Sequence, residues 1–153
     1  MVQGALRQSR GAWSYDPRSA LVGQGGSGNN WAMGYCRHGP AVREAVLEGP
    51  VRREVEACDR FEGFLLLQSM AGGTGSGLGA YVADALAEEY PSATLLSQAV
   101  WPYQHGEVTV QSYNTVLTLA RLAASCDGVV VTRNDALSAV CTKQLRIASP
   151  SFG

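Results

Sequence analysis

"SMAGGTGSGLG", residues 69–79, stands between the apolar run "FEGFLLLQ" (61–68) and the amphipathic run "AYVADALAEEY" (80–90). Five of its eleven residues are glycine. Glycine costs backbone entropy and packs no side chain, so such a cluster needs a reason. The run before it, "FEGFLLLQSM", is short and nearly continuously apolar, which predicts a strand buried on both faces of a parallel sheet. Behind it, Leu78, Tyr81, Val82, Ala85 and Leu86 recur at helical spacing, and Pro91 ends the pattern. The stretch is therefore a glycine-rich turn from strand to helix.

The same alternation continues outward. "ATLLSQAV" (93–100) predicts a second strand and "WPYQHGE" (101–107) a loop. A helix is expected over about 110–124, with Val116, Leu117, Ala120 and Ala123 on one side. "GVVVT" (128–132) is a third strand, "RND" turns the corner, and "ALSAVCTKQL" (136–145) is a further helix. Upstream, "PAVREAVLE" (40–48) and "VRREVEACD" (51–59) read as helix interrupted at Gly49-Pro50. Residues 1–28 carry little pattern and predict loop. The fold class expected is α/β: a Rossmann-like parallel sheet with helices on both faces. Ligands of such sheets bind outside the carboxyl ends of the strands. The loops Ala71–Gly77, Trp101–Glu107 and Arg133–Asp135 should therefore share one edge.

A glycine-rich turn into a helix suits phosphate, because its N–H groups approach without Cβ interference and the helix start carries partial positive charge. Thr74 and Ser76 can add hydroxyls. The alternative is a tight turn whose glycines serve close helix–sheet packing. A P-loop needs lysine, and Lys143 is the only lysine in the chain. Gly75, Gly77 and Ala80 fit G-x-G-x-x-A, a dinucleotide fingerprint that wants an acid after the next strand. Val100-Trp101-Pro102 stands there instead, so a nicotinamide- or flavin-binding oxidoreductase is the second reading. Gly23, Gly25 and Gly28 match G-x-G-x-x-G without a strand before or a helix after. A second loop, "GGSGNNWAMG" (25–34), offers backbone freedom and paired asparagines. Capping is the default role of Asn30. Two such loops without lysine point to phosphate held by backbone dipoles.

Bulk properties narrow the rest. The 153 residues suffice for one domain. A net charge of -1 gives no footprint for nucleic acid or an anionic membrane. No apolar run reaches the length of a membrane span, and "MVQGALRQSR" has no signal-peptide core. The four cysteines form no C-x-x-C pair and read as reduced cytosolic thiols. Two histidines make a His-based metal site improbable.

Taken together, "GSGNNWAMGY…HGP", "SMAGGTGSGLGA" and "WPYQHGEVTVQSYN" with "NDAL" resemble the tubulin superfamily. The likeness is greatest to its delta branch and next to its gamma branch, which also has alanine at the position of Ala71. It covers about residue 13 to the end, so residues 1–12 are an atypical or unstructured start and 13–153 a partial GTP-binding domain. The resemblance implies a GTP-binding cytoskeletal protein of centrioles, basal bodies and cilia, or a gamma-like nucleator of microtubules. Its partners would be GTP, other tubulin subunits and centriolar microtubules, with Mg²⁺ bound through the nucleotide. Localisation would be cytoplasm and cytoskeleton, including centrosome and cilium.

Carried onto this sequence, Ser69, Ala71, Gly72, Gly73, Thr74, Gly75, Ser76 and Gly77 would hold the phosphates. Gly28 and Asn29 would lie near the terminal one. Gln111 would meet the ribose, Asn134 the guanine edge, and Phe152 would stack on the base. Without the family, Asn134 could equally cap a helix, and Phe152 is a small anchoring aromatic or part of a frayed end. The family's first strand, its glutamine-rich loop, its magnesium-placing acid and its catalytic acid have no counterpart among these motifs. No catalytic residue is therefore assigned; Glu107 lies on the right edge but reads as a solvated acid. These departures suggest a fragment, a short isoform or an incomplete gene product, marginally folded by itself. A fragment that binds nothing is the third reading.

Overall fold

The computed structural model describes residues 16–103 and 108–147. Its three strands are β1 (Gly63–Ser69), β2 (Thr94–Trp101) and β3 (Gly128–Arg133). They form one sheet in the order β1-β2-β3, and both pairings are parallel. Parallel neighbours need crossovers. Helix α2 supplies the first, as a π-type turn Thr74–Leu78 continuing into Gly79–Glu89. Helix α3, Gln111–Ser125, supplies the second. Helix α4 follows β3 as Asn134–Ala139 and a π-type turn Val140–Gln144. The α/β class and the Rossmann-like parallel sheet are thus those expected.

Upstream, helix α1 runs through a π-type turn Met33–His38, Gly39–Val46, a second π-type turn Leu47–Val51 and Arg52–Ala57. It begins ahead of the expected start at Pro40. Gly49-Pro50 does not break it. Pro50 lacks an N–H and its ring would crowd the preceding turn of an α-helix. The wider turn accommodates both defects, and the chain stays helical through it.

Leu95 and Ala99 of β2 join Ala83, Ala85 and Leu86 of α2 and Leu122 of α3 in one buried cluster with Met70 and Leu47. Both crossover helices therefore cover the same face. Two right-handed crossovers that step the same way along a sheet put their helices on one side. The opposite face presents Leu65, Leu67, Leu96 and Val130 at 62%, 71%, 41% and 61% exposure. The two-sided cover expected for β1, and for the sheet as a whole, is one-sided for α2 and α3 among the described residues.

Helix α3 also turns a different side inward from the one its apolar residues mark. Val116, Leu117, Ala120 and Ala123 are exposed, while Asn114, Thr115, Thr118 and Leu122 are buried. The three polar residues are satisfied. Thr118 Oγ1 donates to the Asn114 carbonyl at 2.7 Å. Thr115 Oγ1 lies 2.8 Å from the Gln111 carbonyl and 3.2 Å from that of Met70.

A polar and aromatic cluster joins α1, α2 and α3. The Tyr35 hydroxyl donates to Asp84. Arg121 Nε donates to the same carboxylate at 2.9 Å, and Ser125 Oγ donates to its other oxygen. The Arg121 guanidinium lies 5.3 Å from the Tyr35 ring centroid. Tyr35 stacks on Trp31 at 4.5 Å and meets Tyr81 edge-on at 5.5 Å. No helix among the described residues is long and apolar enough to cross a membrane.

A rim of two glycine loops

Because all three strands are parallel, their carboxyl ends lie on one edge. Ser69 pairs with Val100, and Trp101 with Arg133. The glycine loop after β1, the start of the loop after β2 and Asn134 after β3 therefore share a rim, as the alternation predicts. Glu107 and Phe152 lie outside the described residues.

Chain segments far apart in sequence build this rim. Gly28 and Asn29 both have left-handed backbones, φ 56° and 54°. Glycine adopts that conformation freely, and asparagine is among the few L-residues that tolerate it. The turn they make lays the asparagine loop against the glycine loop. A Cβ on Gly73 would stand 2.7 Å from the Asn30 nitrogen. One on Gly77 would stand 2.9 Å from the Trp31 carbonyl carbon. A Cβ on Gly72, in contrast, would meet only Asn29 Oδ1, at 3.4 Å.

The glycines thus divide by task. Gly73 and Gly77 allow two backbones to touch, which is the packing reading. Gly72 lines the cleft between the loops, where a ligand would need the room.

The hydroxyls divide too. Ser76 is buried and donates to the Gly72 carbonyl, so its side chain braces the turn. Thr74 is exposed, with Oγ1 3.2 Å from Ser27 Oγ. Ser27 is buried and stands 3.1 Å from His38 Nδ1. Ser69 Oγ accepts from the Ala71 amide at 3.3 Å. Helix α2 starts at Thr74, and the first turn of a helix has N–H groups without intrahelical partners and the positive end of the helix dipole. Residues 23–30 and 69–79 contain no lysine or arginine.

Gln111 opens α3, and its Nε2 donates to the Tyr103 carbonyl at 2.9 Å. It lines a cavity of about 180 Å³ together with Trp101, Tyr103 and Thr115. Asn134 is the first residue of α4; the cap position belongs to Arg133, which makes no side-chain cap bond. Asn30 does act locally, since its Oδ1 accepts from the Met33 amide at 3.1 Å.

Three residues escape the sequence reading: Ser27, His38 and Asn114. Asn114 lies 3% exposed between the loops. The available signal was the polar spacing of Gln111, Asn114, Thr115 and Thr118 along one side of α3.

The residues present fit an anionic ligand: open space beside Gly72, a helix start at Thr74, an exposed hydroxyl and no carboxylate among 23–30 and 69–79. The family model described as Tubulin/FtsZ family, GTPase domain, matches residues 2–142. Among curated proteins, the chain is 46% identical over 142 residues to the tubulin delta chain of Macaca fascicularis. It is 46% identical to that of Homo sapiens and 45% identical to that of Mus musculus over the same length. Each alignment covers 93% of this chain and 31% of the relative, so the chain spans about a third of the proteins it matches. The parallel sheet, the rim of glycine loops and the match over nearly its whole length agree: this chain belongs to the Tubulin/FtsZ family.

Proposed function

We propose that this chain is a GTP-binding cytoskeletal protein of the delta-tubulin type, acting in microtubule organisation at centrioles, basal bodies and cilia. Residues 13–153 form part of its nucleotide-binding domain. The backbone of Ala71–Gly77 wraps the phosphates, with Ser69 beside it and Gly28 and Asn29 at the terminal phosphate. Gln111 meets the ribose, Asn134 reads the guanine edge, and Phe152 stacks on the base. Mg²⁺ is held through the phosphate oxygens of the nucleotide. Other tubulin subunits and centriolar microtubules are the partners, and the cytoplasm and cytoskeleton the setting.

One observation carries this reading. Two glycine loops separated by some forty residues close on one cleft at the sheet's carboxyl rim, with amide dipoles where other phosphate sites place lysine. GTP supplies three phosphates to such a cleft and a guanine to the residues beyond it.

Titration with GTP and NAD tests it. GTP should bind and should protect the amides of Gly72–Gly77 from hydrogen exchange. Tighter binding of NAD, insensitive to excess GTP, would defeat the assignment. Unchanged exchange at saturating GTP would mark a chain that binds nothing.

A further inference from the structure

We infer that Asn114 is a positioning residue that fixes the two phosphate loops in one register; the inference rests on the nucleotide reading above. Its carboxamide is fully engaged. Nδ2 donates to the Asn29 carbonyl and to the Ala71 carbonyl, both at 2.8 Å. Oδ1 accepts from the Trp31 amide at 3.1 Å. One side chain on α3 thereby ties the asparagine loop, on both sides of Asn30, to the first residue of the glycine loop.

The geometry assigns this to a carboxamide in particular. The site needs two N–H donors and one acceptor in a plane, which asparagine carries and a carboxylate or hydroxyl does not. Burial raises the stakes, because the carbonyls of Asn29 and Ala71 and the Trp31 amide would lose a partner together. The neighbouring Thr115 adds a hydroxyl 3.2 Å from the Met70 carbonyl, just before the glycine loop. Gln111, one turn earlier on the same side, lines the cavity after β2. The first turns of α3 thus set the spacing between the ribose position and both phosphate loops.

The consequence is selective. Freeing the asparagine loop moves Gly28 and Asn29, the residues placed at the terminal phosphate. The glycine loop keeps its brace from Ser76. GTP binding should therefore suffer more than GDP binding.

The test measures GTP and GDP dissociation constants by calorimetry, at fixed salt and Mg²⁺, for the unaltered 153-residue chain and for Asn114→Ala. Loss of buried hydrogen bonds of this kind should weaken GTP by about tenfold to a hundredfold, and GDP by less. Where the alanine variant does not fold, Asn114→Ser, which retains a hydroxyl but cannot reach both carbonyls, gives the same comparison.

A third measurement needs no substitution. In the unaltered chain, GTP should slow exchange at Asn29–Trp31 and at Ala71–Gly77 over the same concentration range. Equal weakening of GTP and GDP would mark a general structural role and overturn the clamp. So would unchanged affinities, or loops that respond independently. Failure of the unaltered chain to bind GTP would instead overturn the nucleotide reading itself.

Discussion

At the scale of single residues, the glycine loop separates two tasks that a sequence merges. Gly77 faces the Trp31 carbonyl and Gly72 faces the cleft. Gly77→Ala drives a methyl into backbone that cannot retreat, and should cost about 1–3 kcal/mol by overpacking. Gly72→Ala should change stability by no more than about 0.5 kcal/mol, because the half-buried site has room for a Cβ, whose one neighbour would be Asn29 Oδ1 at 3.4 Å. Yet it should weaken GTP, because the new Cβ occupies the cleft. Urea melts and GTP titration on both variants check the division. Equal stability losses would sink it.

Tyr35 carries a second residue-scale expectation. Burial, followed by its bond to the Asp84 carboxylate, raises its pKa above the ordinary value of 10.0. The unfolded chain then loses the tyrosine proton first as pH climbs past 10. The contribution of Tyr35 is complete below that pH and falls away as pH rises through the folded pKa. The melting temperature should therefore drop more steeply above pH 10 in the unaltered chain than in Tyr35→Phe. Parallel alkaline profiles would show that the hydroxyl is not coupled to folding.

At the scale of elements, α3 is the instructive case. Its apolar residues mark one side, and the structure buries another. Two aliphatic positions test the orientation. Leu117, 44% exposed, should tolerate Leu117→Gln within about 0.5 kcal/mol. Leu122, fully buried, should lose about 2–5 kcal/mol as Leu122→Ala. Equilibrium unfolding of the two variants reads the difference directly, and a reversed order would restore the apolar side as the inner one. Helix α1 teaches the complementary lesson. Gly49-Pro50 reads as a break, and one wider turn absorbs it.

At the scale of the whole molecule, the sheet has one covered face and one open face among the described residues. Leu65, Leu67, Leu96 and Val130 form an apolar surface across all three strands, and the outer backbone groups of the edge strand β1 have no strand partner among the described residues. Such a surface favours self-association. The chain by itself should sediment as concentration-dependent oligomers, and Leu67→Lys should shift it toward monomer without lowering its melting temperature. A monomer at all concentrations, with a cooperative melt and an ordinary unfolding heat capacity, would contradict this picture and the expected marginal stability with it.

The sequence by itself determined the strand–helix alternation, the parallel sheet and the rim that the glycine loop 71–77 shares with the ends of β2 and β3. Those follow from local periodicity and from the chirality of crossovers, which need no knowledge of distant contacts. Ala71–Gly77 stood out as a glycine cluster at a strand–helix junction, whereas the roles of Gly28, Asn29, Gln111 and Asn134 were only implied by the family resemblance. Only the tertiary structure decided which glycines pack and which face the cleft, which side of α3 turns inward, and that Asn114 bridges the loops. Those depend on what lies opposite each residue. A buried polar side chain has no periodic signature; its partners, some forty and eighty residues away in the chain, are what make its burial tolerable.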